Sequence, residues 1–260
     1  MARLLKFWLA LVLGFLYLPI LVMIAMAFNQ SALYELPFQL DWKWFAQLSQ
    51  NERLLSASFN SIWIALATTI IATTIGTCAA LGLARFQFRG RKLLQILLLP
   101  PITIPWLITG TAMLIFFFWS GIGRGLHAIL LGHVALAIPY VVLVVGAQLQ
   151  SHGPQLEEAA QSLGANAWEV FYRINLPILA PSIMAAAAFA FAISFDQFVI
   201  SYFLSPPGVS TLPVEIYTAI RKGFTPEINA ISSLIILFSM GLMLFVARHY
   251  RFGGNHHGRD

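Results

Sequence analysis

Apolar residues in this chain come in long unbroken runs, with neither the alternation of a half-buried strand nor the narrow stripe of a soluble helix. Six runs are long enough to cross a bilayer, at about 7–28, 57–84, 93–119, 126–149, 178–204 and 228–247. The pattern predicts an all-α membrane protein of six transmembrane helices. It divides the chain into an N-terminal transmembrane helix (1–28), an external segment (29–56), a five-helix core (57–247) and a polar tail (248–260) expected to be disordered.

The core is interrupted by one polar interval dense in chemical information, QSHGPQLEEAAQSLGANAWEVFYRINLPILAP, with a loop at 150–178. Pro154 stands where a helix can begin, because the N–H that proline lacks would have no helical partner in a first turn in any case. Glu157 and Glu158 follow in that turn, where the helix dipole favours negative charge. Ala159 and Ala160 favour helix, and Gly164 supplies a stop or a sharp turn. A second short helix is expected at about 166–174, carrying Trp168, Phe171 and Tyr172 with Glu169 and Arg173. Pro177 and Pro181 are expected to bound it before the next apolar run. The interval therefore reads as two helical limbs, the second aromatic, at the membrane surface.

Composition agrees with the pattern. Hydrophobic residues make up 59% of the chain and charged residues only 10%, against about 25% charge in soluble domains. The formal charge of +5 does not signal nucleic acid, since the basic residues lie between the apolar runs. Their distribution sets an orientation instead. Ten of the fifteen, Arg3, Lys6, Arg85, Arg89, Arg91, Lys92, Arg173, Arg248, Arg251 and Arg259, fall on one side, and five on the other. The positive-inside rule then places both termini and the 150–178 loop in the cytoplasm. Arg3 and Lys6, the first run and Ala25-Met26-Ala27 have the layout of a signal peptide. The run is longer than a typical signal core, so an uncleaved span is expected.

Several runs carry irregular features. Trp42 and Trp44 in the external segment suit the headgroup level. The second run is rich in Thr, with Gly76 and Gly82, which points to close helix packing before it points to a pathway. Pro100, Pro101 and Pro105 cannot all sit in one regular helix. His127 and His133 are six residues apart and do not share a helix face, so no zinc site is expected. The fifth run holds Asp196, the one acidic residue within an apolar run, with Gln197, Ser201 and Tyr202 beside it. An intramembrane carboxylate is a candidate for a solute path. A hydrogen bond to another helix, for instance to Asn60, is the equal alternative. A turn at Pro206-Pro207-Gly208 and a short surface helix at about 214–221 follow. Thr225 is a candidate N-cap for the last helix.

Catalytic patterns are missing. The sequence holds no phosphate-binding G-x-x-x-x-G-K-[ST] loop, no H-E-x-x-H and no G-x-S-x-G. A non-catalytic chain without a cofactor of its own is expected, and any ATP and Mg would be bound by a separate chain.

Glu158-Ala159-Ala160, three residues, Gly164, nine residues, Ile174, one residue and Leu176-Pro177 resemble the EAA loop of ABC-importer permeases at every fixed position. The resemblance implies a bacterial inner-membrane permease subunit whose second limb is a coupling helix, with Ala165, Trp168 and Phe171 among the docking residues. It further implies a cytosolic ATPase dimer, a second permease chain, related but different, and an external solute-binding protein. The segments SFDQFVISYF, TLPVEIYTAIRKG and TPEINAISSLI resemble the spermidine and putrescine permease subfamily. A second acidic residue often follows the aspartate in that subfamily, and here the position is Gln197. The competing expectation is a self-contained secondary transporter with Asp196 as its proton or cation site.

Overall fold

The computed structural model describes residues 2–31, 35–222, 226–237 and 240–241. The 248–260 tail, the Thr225 cap and the far half of the 228–247 run lie outside the described residues. The described chain is helical, with one isolated bridge between Asn29 and Leu40. Four helices are long and apolar enough to cross a membrane, and a strongly bent pair makes five candidate spans among the described residues.

Two compact units divide the chain, Met1–Leu55 with Ile216–Asp260, and Ser56–Glu215. In the first unit, α1 (Ala2–Met26) contains Pro19, and α2 is Lys43–Gln50. Trp44 is buried, and its indole N–H donates to the Asn29 carbonyl at 2.7 Å. The Asn29 side chain accepts from Gln39 N and donates to the Glu35 carbonyl, which pins the segment that brings Trp44 in. Trp42 is exposed, edge-on to Phe28.

Helix α3 (Glu52–Arg85) runs for 34 residues, about 51 Å at 1.5 Å per residue. It starts before the second apolar run because the Asn51 side chain accepts the Leu54 N–H at 3.1 Å and caps it. The prolines then break the third run as expected. Helices α4 (Arg91–Leu97) and α5 (Pro100–Thr103) meet α6 (Trp106–Trp119) at a bend of 111°. Ile104 is extended, as a residue before proline must be. Positive φ at Gly121 and Gly123 turns the chain into α7 (Leu126–Ser151).

The second unit is centred on α7. Its buried face packs with Ala72 and Ala80 of α3 and with Leu179, Ala186 and Ala190 further on. Gly76 is required by this contact, since a Cβ there would lie 2.6 Å from Val141. Thr69 and Thr74 return their hydroxyls to carbonyls of their own helix, and Thr68 and Thr77 are buried. Large apolar residues such as Ile70, Phe118 and Trp119 stay exposed, as lipid-facing positions do.

The fifth run is not one helix. Helix α9 (Ala167–Val170) passes through a π-helical segment (Phe171–Asn175) into α10 (Leu176–Phe195), and the chain then breaks before α11 (Phe198–Leu204). A short helix, α12 (Leu212–Lys222), and α13 (Glu227–Leu237) complete the described chain.

Candidate functional site

Two places in the second unit collect the polar groups singled out in the sequence. The first is the 150–178 loop. Helix α8 (Gln155–Ser162) has Glu157 and Glu158 in its first turn. It ends in a Schellman motif, with Gly164 N–H on the Gln161 carbonyl at 2.9 Å and Ala165 N–H on the Ala160 carbonyl at 3.0 Å. Gly164 has φ +91° and open space where a Cβ would go. Its backbone angle, not crowding, is what calls for glycine.

Asn166 opens the second limb as the N-cap of a complete capping box. Its side chain accepts from Trp168 N and Glu169 N, and the Glu169 carboxylate accepts the Asn166 N–H at 2.9 Å. Trp168 is 70% exposed and stacks on Tyr172 with ring centres 5.8 Å apart. Phe171 sets its ring edge-on to Tyr172. Between the limbs lies an open hollow of about 360 Å³, lined by Ala160, Leu163, Ala165, Val170, Arg173 and Ile174 among others. Glu158 and Ala159 are exposed on α8, and Leu176 and Pro177 are exposed at the start of α10.

The prolines do not bound the second limb. Pro177 falls in the first turn of α10 and Pro181 inside it, and the helix continues from Ala167 to Phe195. The π turn explains the continuity. Leu176 N–H reaches back to the Phe171 carbonyl, and this wider winding accommodates a proline that would crowd a carbonyl of the preceding turn.

The second place is the break between α10 and α11. Asp196 ends α10 and is exposed, while Gln197 is 1% exposed. The Gln197 side-chain oxygen accepts the Val199 N–H at 3.2 Å and caps α11. Its Nε2 has no partner among the described residues. Ser201 is buried in the first turn of α11, and Tyr202 beside it is exposed. Asn60 donates to the Ser210 carbonyl at 3.0 Å.

Sequence reading weighed His133 only as a metal ligand, and its larger role went unseen. It is buried in α7, with Nδ1 2.8 Å from Ser194 Oγ and Nε2 3.0 Å from Ser201 Oγ. The two serines flank the break, so one imidazole ties both halves of the interrupted span to α7. The available signal was a histidine in the middle of an apolar run, which demands partners.

Residues 72–252 match the family described as the inner membrane component of binding-protein-dependent transport systems. The chain belongs to this family. The permease is 36% identical over 241 residues to the putrescine transport system permease protein PotI of Escherichia coli K12, covering 90% of this chain and 85% of that one. It is 30% identical over 236 residues to the spermidine/putrescine permease PotC of the same strain, covering 89% and 88%. Its fold is like a chain in the crystal structure of a bacterial ABC transporter that imports the acidic polysaccharide alginate. The TM-score there is 0.75 at 19% identity, over 98% of this chain and 95% of that one. A chain of the MetNI methionine ABC transporter matches at TM-score 0.59 and 17% identity, over 77% of this chain and 97% of that one.

The permease is thus a non-catalytic, multi-pass inner-membrane subunit of an ABC importer, in a system that also has an ATPase and a periplasmic binding protein. Membership in the family displaces the self-contained secondary transporter.

Proposed function

We propose that this permease carries a polyamine such as putrescine or spermidine inward, in a transporter with a related second permease and two ATPase subunits. The observation that carries the solute class is the likeness to PotI and PotC over about nine-tenths of the chain. The geometry supports it. Asp196 places an exposed carboxylate at a helix break, and a carboxylate suits the ammonium groups of a polyamine. Gln197, Ser201 and Tyr202 complete the candidate path.

Six spans, with both termini in the cytoplasm, put the hooked loop on the cytoplasmic side. There α8 and the Trp168 limb dock on the ATPase, with Glu158, Ala159, Ala160, Gly164, Ala165, Phe171, Ile174, Leu176 and Pro177 forming or framing the contact. ATP and Mg stay on the ATPase, and this chain holds no cofactor. Coupling follows from the ATPase binding one permease state better than the other.

Proteoliposomes containing the whole transporter test both claims. Labelled putrescine or spermidine should enter on ATP and binding-protein addition, and Asp196→Asn should lower uptake at least about tenfold, the loss of one charge-assisted hydrogen bond. Gly164→Pro should abolish co-purification of the ATPase, since proline cannot adopt φ +91°. Full uptake by Asp196→Asn would remove that residue from the path. An ATPase retained by Gly164→Pro would remove the docking role.

A further inference from the structure

Arg85 is the last residue of α3, and Glu157 sits 72 positions later in the first turn of α8. Arg85 Nε and Nη2 both lie 2.8 Å from Glu157 Oε1, and Nη2 also donates to the Gly153 carbonyl at 3.3 Å. One guanidinium therefore holds both the first turn of α8 and the bend before it. The two side chains are only 19% and 14% exposed. Leu149, Leu156, Ile174 and Leu179 line the same small space. An ion pair shielded in this way is screened little by salt, and losing one partner strands the other charge.

The placement matters as much as the contact. The chain itself attaches the loop to α7 on one side and α10 on the other. Arg85 adds a third attachment, to a helix remote in sequence. Glu158, on the same turn of α8, is exposed, while Glu157 is half-buried. The two adjacent glutamates are thus divided between an outward and an inward task.

We propose that the Arg85–Glu157 pair is the latch that passes movement of the loop to α3. This rests on the reading that the loop docks on the ATPase. Arg85 and Glu157 are positioning residues and touch neither solute nor nucleotide. Without the latch the ATPase still docks and hydrolyses ATP, but its stroke reaches α3 only through the apolar packing of α3 on α7, and the end of α3 nearest the loop lags.

The test is the ratio of solute imported to ATP hydrolysed, measured in proteoliposomes holding the complete transporter, for Arg85→Glu, Glu157→Arg and the double swap. Each single reversal should leave ATPase co-purification intact and lower the ratio about tenfold, within the range for residues that carry coupling between sites. The double swap should regain a substantial part of it, incompletely because the Gly153 carbonyl would then face a carboxylate. Three results would overturn the latch: uptake and hydrolysis falling in equal proportion, a double swap no better than the singles, or loss of the ATPase from the singles. If the reversed chains fail to reach the membrane, Arg85→Gln and Glu157→Gln carry the same ratio test, and an unchanged ratio in both overturns the proposal. Failure of the docking reading is seen separately, in an ATPase retained by Gly164→Pro.

Discussion

The span from Ala167 to Leu204 is interrupted twice, and the two interruptions have opposite origins. At Phe171–Asn175 the sequence announces trouble with Pro177, yet the helix only widens by a π turn and runs on. At Asp196–Gln197 there is neither proline nor glycine, yet the helix stops. Side chains explain the second case. Gln197 caps α11, and His133 holds Ser194 and Ser201 on the two sides. A break inside a bilayer persists where protein groups satisfy what the backbone gives up. Proline supplies a reason to leave the helix but no replacement partner, whereas the Gln197 amide oxygen takes the freed Val199 N–H and the imidazole ties the flanking serines to α7.

The contrast can be broken most forcefully at His133. His133→Phe removes both ring hydrogen bonds and leaves two serine hydroxyls buried, for a loss of about 2–4 kcal/mol. A markedly lower Tm of the detergent-purified chain would report it. Adding Ser194→Ala and Ser201→Ala should recover most of the loss, because no polar group is then stranded. A His133→Phe chain that melts with the wild type would show that the break stands without this tie.

Gln197→Ala should have a smaller effect. Losing the cap costs roughly 1 kcal/mol, and removing an amide nitrogen that has no described partner offsets part of that. The same melting experiment reads it, and a loss as large as that of His133→Phe would make the cap, not the imidazole, the main support.

Pro177→Ala should change stability least, by under about 1 kcal/mol, because the π turn already accommodates the ring. Its effect should be geometric. With an N–H restored, the turn should tighten to α and rotate the aromatic limb relative to α10 by about 100°, one residue of helix. Spin labels at the exposed positions Leu163 and Met184, with Cys78 replaced, would detect the change in distance. An unchanged distance would assign the π turn to the packing of Trp168, Phe171 and Tyr172 instead.

What could be read from the sequence was what local chemistry decides. Gly164 marks its turn through its own backbone angle. Pro100, Pro101 and Pro105 mark their bend, and Leu212–Lys222 forms close to the expected 214–221 helix. The hidden features depend on partners chosen by the fold. Ser194 and Ser201 lie 61 and 68 positions from His133, and nothing in any of these segments names the others. Glu157 and Glu158 looked alike until Arg85 claimed one of them. Pro177 misled because proline reports only a missing donor, and a neighbouring turn can absorb that loss.

The capping box of Asn166 and Glu169, together with the Schellman turn before it, means that the loop's second limb is already folded before it meets anything. All of those hydrogen bonds are internal to residues 160–169. Association then exacts little conformational entropy from this side, and affinity is set by how well two preorganised surfaces match. In the docking proposed above, such a limb is gripped and released in every ATP cycle without refolding, so an ATPase that changes shape meets the same preformed surface each time.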